Sequence, residues 1–163
     1  MEHINKVNSF KEYNIYFRCA TLKKNAKQGT KNNIDHFTFL FADLDAKEIS
    51  KDNLLQKIEN FKIRPSIIVD SGNGYHIYFL LKKPVYDLIT VQKLLNNMIK
   101  ELGADPNCTK VTQVLRVPGT FNIKSDPPRK VNIVRVNNIR YDFNELVSVF
   151  LPEDCNKSRI DLS

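Results

Sequence analysis

Three short segments hold most of the residues in this 163-residue chain that are equipped for chemistry. The first is Phe41-Ala42-Asp43-Leu44-Asp45, at the end of an almost continuously apolar run. In a strand, side chains at i and i+2 share a face, so Asp43 and Asp45 project together while Leu44 points the other way. Paired carboxylates suit a hard divalent cation such as Mg²⁺, which takes oxygen ligands and is commonly held by one or two acids plus substrate phosphates. Without a cation the two acids repel, and one pKa rises. On these residues alone a second reading stays open, in which the strand simply ends at solvent with its acids exposed.

The second segment is Ser71-Gly72-Asn73-Gly74-Tyr75-His76. Two glycines let backbone approach a ligand closely, and a histidine on the outgoing strand is placed to donate to a phosphate oxygen. An ordinary glycine hairpin with a core histidine is the alternative, since His76 shares a strand face with Tyr78 and Leu80. The third segment, Arg116-Val117-Pro118-Gly119-Thr120-Phe121-Asn122-Ile123-Lys124, is a rigid turn with cations on both sides. Arg offers a planar fork for phosphate and Lys a point charge. A solvated loop explains either cation alone and explains the combination less well.

The elements that must position these groups follow from periodicity. Residues 14–20 read as a first strand, residues 36–45 as one buried on both faces, and residues 66–71 and 75–81 as two strands joined by the glycine turn. Residues 23–33 carry Lys23, Lys24, Lys27 and Lys31 with no apolar period, so they form a basic loop, either solvated or lying along a phosphate chain. Ser50 caps a helix with Leu54, Leu55, Ile58 and Phe61 at helical spacing, and a second helix spans roughly residues 87–102 before Gly103. Residues 109–115 read as extended, residues 130–136 as an alternating strand, and Asp142 as the cap of a short last helix. The hairpin within this alternation predicts an α+β fold, a mixed or antiparallel sheet with packed helices, over residues 1–150, followed by a polar tail or linker at 151–163.

Composition narrows the partners. A net charge of +7 favours a polyanion, because Lys and Arg gain affinity by releasing counterions from phosphates. No stretch approaches the ~20 apolar residues of a membrane helix, and the first residues lack a secretory pattern, so a cytoplasmic protein without membrane contact is expected. Cys19, Cys108 and Cys155 are odd in number and widely spaced, which suggests neither a disulfide framework nor a zinc knuckle.

Taken in order, the Asp-x-Asp strand, the Ser-Gly-x-Gly-x-His turn and the Arg-x-Pro-Gly-Thr-x-Asn-x-Lys loop resemble the archaeo-eukaryotic primase superfamily. The likeness is strongest to the primase-polymerase domains of plasmids, phages and other mobile elements, and it covers about residues 14–136. It implies an RRM-like catalytic core and a template-dependent nucleotidyltransferase that makes or extends primers on single-stranded DNA from NTP or dNTP. It also implies two Mg²⁺ or Mn²⁺ ions on Asp43, Asp45 and a third acid after the second helix, best matched by Asp105. Asp70 is the poorer match, since its side chain should oppose that of Ser71. Ser71 and His76 correspond to the motif that contacts the nucleotide's phosphates, and Arg116 and Lys124 to the basic loop that holds triphosphate or template backbone. Lys110 and Gln113 stand where relatives often carry an acid and an arginine, and neither the zinc element nor the helicase module of some relatives has a counterpart here. A separate replicative helicase or an additional domain is a partner the resemblance leaves open. The rival expectation is a non-catalytic RRM-like replication initiator module, stacking bases on Tyr16, Phe17, Tyr75 and Tyr78. A metal-dependent nuclease is a third, which the phosphate-oriented cations fit less well.

Overall fold

The computed structural model describes residues 13–103 and 109–152. In chain order its elements are β1 (Tyr16–Arg18), β2 (Thr21–Leu22), a 3₁₀ turn (Lys31–Asn33), β3 (Ile34–Asp45), α1 (Lys51–Glu59), β4 (Ile67–Asp70), β5 (Gly74–Val85), α2 (Leu88–Leu102), β6 (Val114–Arg116), β7 (Phe121–Asn122), β8 (Arg129–Lys130), β9 (Asn132–Val136) and α3 (Phe143–Phe150). Five strands form a central sheet in the order β2-β3-β5-β4-β9, every neighbour antiparallel. Among the described residues no helix is long and apolar enough to cross a membrane.

The helices pack on one face of this sheet, where Phe79 of β5 meets Phe150 of α3 and Lys51 of α1 reaches Asp70 of β4. Their apolar stripes, with Leu54 and Ile58 on α1, Leu94, Leu95 and Met98 on α2, and Leu146 on α3, complete the main core. Local signals set their ends. Ser50 Oγ accepts from the Asn53 amide (3.2 Å), Asp142 and Glu145 form a capping box, and Gly103 ends α2 at φ 75°. Asp87, expected within the second helix, is its cap and accepts from the Ile89 and Thr90 amides.

The opposite face is only half covered. β1 and β6 pair with each other, separately from the central sheet, as a two-stranded ribbon. Phe17 packs from this ribbon onto Phe39 and Tyr78, with ring centroids 6.3 Å from each. The expected strand over residues 14–20 is therefore divided. At Cys19 the amide turns to Gln113 O (3.1 Å), and the chain re-enters the central sheet at β2. Residues 109–115 form a strand only from Val114 onward. The strand expected over 130–136 is interrupted at Val131, which is fully buried and exchanges hydrogen bonds with Gly119 and Thr120. β9 is exposed along its whole length because it lies at the sheet edge. Beyond Pro152 the expected tail lies outside the described residues.

Candidate functional site

Asp43 and Asp45 occupy the last turn of the β3 pleat on the half-open face, while Leu44 is buried toward the helices. Register places Asp43 opposite His76 and Asp45 opposite Gly74. His76 is 1% exposed, and its Nε2 lies 3.5 Å from Asp43 Oδ1. The Tyr78 hydroxyl approaches Nδ1 of the same ring at 3.4 Å. Burial, reinforced by the Arg116 charge and opposed by Asp70, lowers the His76 pKa to about 4. At neutral pH the ring is therefore uncharged. The tautomer with its proton on Nε2 suits both neighbours, turning that proton toward the Asp43 carboxylate and leaving Nδ1 to accept from Tyr78.

Asp43 is pushed the other way, up to about 6, first by burial and then by the charge of Asp45; Arg116, Lys124 and Lys47 pull it back. Burial also raises the Cys19 thiol and the Tyr78 hydroxyl, with Asp43 adding to both. The pocket thus holds two acids at a cost that a cation would remove, which fits the donor set expected of a Mg²⁺ or Mn²⁺ site. Among the described residues no cluster of three His, Cys, Asp or Glu side chains forms, and Asp105, the expected third acid, lies outside them.

These shifts have opposite consequences for stability. A carboxyl raised from 3.8 to about 6 holds its proton more tightly when folded, so its contribution is complete below 3.8 and is lost as pH rises through about 6. An imidazole lowered from 6.5 to about 4 stabilises above 6.5 and loses that contribution as pH falls toward 4. In the wild type the two offset across the overlap. Asp43→Asn leaves His76 unopposed, so thermal melts of this variant should fall by roughly 3 kcal/mol between pH 6.5 and 4, more steeply than wild type.

The glycine turn is held rigidly beside the acids. Gly72 sits at φ 97°, and the Ser71 amide closes the turn on Gly74 O (2.9 Å). The β7–β8 hairpin grips its outer side. Asn122 Nδ2 donates to Ser71 O (3.0 Å), while Arg129 Nη1 and Ser125 Oγ both donate to Asn73 Oδ1 (2.9 Å each). From the other side the Ala46 amide donates to Asn73 O (3.1 Å), tying the turn to the chain just past Asp45. Asn122 also accepts the Lys124 amide (3.1 Å), so one buried side chain links the glycine turn to the basic loop. Asn122→Ala leaves a buried carbonyl unpaired and should cost about 1–3 kcal/mol in denaturant unfolding.

Arg116 stands at the end of β6, its Nε donating to Asn14 Oδ1 (3.2 Å) and its guanidinium 5.3 Å from the Tyr16 ring centroid. The same Asn14 oxygen accepts the Ile123 amide (3.2 Å), which couples Arg116 to the loop carrying exposed Lys124. The fold thus gathers Asp43, Asp45, Ser71, His76, Arg116 and Lys124 around one end of the half-open face. Ser71 itself is buried. Asp70 belongs to the helix face, where it binds Lys51 and accepts the Gly72 amide (2.8 Å), consistent with the alternation read from sequence. Sequence reasoning missed Arg129, Ser125 and the His76 contact of Tyr78. Tyr78, two residues from His76 in a strand, carried a readable signal; Arg129 and Ser125 carried none. Of the four aromatics expected to stack on bases, Phe17, Tyr75 and Tyr78 are enclosed in the packing, and Tyr16 alone is exposed.

Comparison with known proteins identifies the family and the fold. The family model of the RepB DNA-primase N-terminal domain matches residues 12–146. A replication protein of Clostridium perfringens is 33% identical over 153 residues, covering 86% of this chain and 36% of that protein, so the chain spans little more than a third of that relative. Among solved structures, the AEP domain of the cyanophage S-2L primase-polymerase superposes with a TM-score of 0.68 at 17% identity, covering 91% of this chain and 76% of that one. The catalytic domain of primase RepB′, solved in complex with initiator DNA, gives 0.61 at 15% identity, covering 98% and 76%. With the fold of a primase-polymerase domain and a family match across nearly all its described residues, the chain belongs to the RepB DNA-primase N-terminal domain family.

Proposed function

We propose that this domain is a template-dependent nucleotidyltransferase that starts or extends primers on single-stranded DNA in the replication of a mobile element. The observation that carries this reading is the meeting of the Asp43–Asp45 pair with His76 on one sheet face, within the electrostatic reach of Arg116 and Lys124. Mg²⁺ or Mn²⁺, held by Asp43 and Asp45 with Asp105 as third ligand, would supply activation of the attacking hydroxyl and neutralisation of the departing pyrophosphate.

The chain's own groups do the positioning. Asp43 and Asp45 present oxygens from a strand whose register is fixed there by β5, opposite His76 and Gly74. His76 stands beside Asp43, its Nε2 at 3.5 Å, and, being uncharged, adds no competing positive charge at the metal ligands. Arg116 and Lys124 offer positive charge to the triphosphate of an NTP or dNTP, where placement and electrostatics supply most of the catalysis. The glycine turn is buried and serves the frame: Gly72 lies against Asn122 and Arg129, and Gly74 against Leu44 O, which holds β5 beside the acids of β3. DNA as the template is favoured by the net charge of +7 and by the initiator DNA bound to the RepB′ catalytic domain. The greater length of the Clostridium relative leaves room for an additional domain or helicase partner in the complete machine.

The test is incorporation of labelled nucleotide on primed and unprimed single-stranded DNA, with separate NTP and dNTP pools, in Mg²⁺ and in Mn²⁺. A product ladder that vanishes in EDTA is expected. Oligonucleotide binding with no product under any condition would reject transfer and leave a binding module. Independently of turnover, millimolar Mg²⁺ should raise the wild-type melting temperature at pH ~8 and leave an Asp43→Asn, Asp45→Asn double variant unmoved, since ligand bound only by the folded state stabilises it.

A further inference from the structure

The ribbon formed by β1 and β6 does more than cover Phe39 and Tyr78. Alternation along its strands turns Phe17 and Leu115 inward, and turns Tyr16, Arg18, Val114 and Arg116 to the outer face. Tyr16 is 42% exposed there, flanked by the Arg116 guanidinium. A tyrosine with that exposure, beside a cation and held on a paired strand, is built to receive a planar π-system.

The other end of the same face is joined to the basic loop. Arg18 Nη1 donates to Gly29 O and to Thr112 O, both at 3.1 Å. Its guanidinium lies where a Cβ on Gly29 would stand, 1.9 Å from Arg18 Cζ, so a side chain there would push the flexible end of Arg18 aside. The loop is further closed by Lys23 N to Asn33 O (2.8 Å) and Asn33 Nδ2 to Gln28 O (2.8 Å). Lys23, Lys24, Lys27 and Lys31 are thereby presented from an anchored segment, all exposed. Exposed cations on a loop tied to a strand that carries an exposed aromatic are the components of single-strand recognition, in which phosphates follow the charge and an unpaired base stacks on the ring.

We propose that the outer face of this ribbon guides single-stranded DNA to the site, with Tyr16 as the stacking platform for one base and the loop of residues 23–31 as the phosphate track. This path rests on the nucleotidyl-transfer reading for its purpose, and Arg116 is the link between the two, since it flanks Tyr16 and its charge acts on both Asp43 and His76. A duplex would keep its base faces stacked internally, so the platform selects an unpaired strand.

The experiment uses the full chain and a fluorescein-labelled oligothymidylate, read by anisotropy without nucleotide or metal, across a salt series. Tyr16→Ala should weaken binding about tenfold with the salt slope retained, and Tyr16→Phe should bind as wild type. Lys23→Gln, Lys24→Gln and Lys27→Gln together should lower the slope of log K against log salt by about 2, at ~0.7 per phosphate contact on a single strand. These lysines are exposed, so that variant reports on binding even where Tyr16→Ala perturbs folding. Unchanged oligonucleotide binding in both variants overturns the path, as does a Tyr16→Ala effect confined to the KM of the incoming nucleotide. Binding is scored apart from incorporation. An inactive chain whose variants lose the oligonucleotide retains the path and sinks the transfer reading, whereas an active chain whose variants bind normally does the reverse.

Discussion

Exchanging Asp43 and Asp45 together for asparagine is expected to reduce metal-dependent nucleotide incorporation by at least about 10³-fold while the domain stays folded. The magnitude follows from the several kcal/mol of transition-state charge stabilisation that carboxylate-bound metal ions contribute. Retention of fold follows from the site itself. Asp43 is held above the normal carboxylate range by burial and by its neighbour, so at neutral pH and without metal the native state carries a strained, half-buried charge. Asparagine has nearly the same shape and no charge. The double variant should accordingly melt no lower than wild type at pH ~8 in EDTA, while losing incorporation in Mg²⁺ and Mn²⁺ alike. Full activity in this variant would remove Asp43 and Asp45 from the chemistry altogether.

Gly74→Ala is expected to be the most damaging single methyl group in the domain. Its Cβ would fall 1.9 Å from Leu44 O and 2.9 Å from Asp45 Cα, both main-chain atoms of the neighbouring strand. No rotamer can relieve that contact, so β3 and β5 must part at the point where Asp45 faces Gly74. Overpacking of this kind costs about 3 kcal/mol, measurable by denaturant unfolding, and moves Asp43 away from His76 at the same time. Gly119→Ala provides the contrast. Gly119, unlike Gly74, has a positive φ, 91°, but nothing lies within 4 Å of its Cβ, so its loss should be limited to the ~1 kcal/mol of backbone strain. A Gly74 variant as mild as the Gly119 variant would mean that the two strands have slack beside the acids.

The features legible in the sequence were those written in one local pattern. Alternation put Asp43 and Asp45 on one face and Asp70 on the other, and the caps at Ser50, Asp142 and Gly103 needed only their immediate neighbours. The glycine hairpin was equally plain, although the reason for its second glycine, a bare approach to Leu44 O, belongs to a neighbouring strand and is invisible in the turn. The ribbon escaped notice because three residues of β1 carry no period and their partners lie in β6, with most of the domain between. That omission also misplaced the aromatics. Phe17 and Tyr78 look available to bases until the ribbon is folded over them. Arg129 was unreadable for a similar reason, since its contact with Asn73 exists only once the β7–β8 hairpin has been laid across the glycine turn.

Asn14 and Arg116, which meet at the ribbon, are 102 positions apart in the chain. Closing so long a loop for two three-residue strands is slow and weakly rewarded until the surfaces on either side are already in place. Contact order therefore predicts that β1 and β6 dock after the helices and the β3–β5–β4 core have set, so φ-values at Phe17 and Leu115 should lie near zero. In that order Phe39 and Tyr78 would wait uncovered by Phe17, and the same ribbon that supplies Arg116 to the site would set how long this aromatic pair is exposed to aggregation.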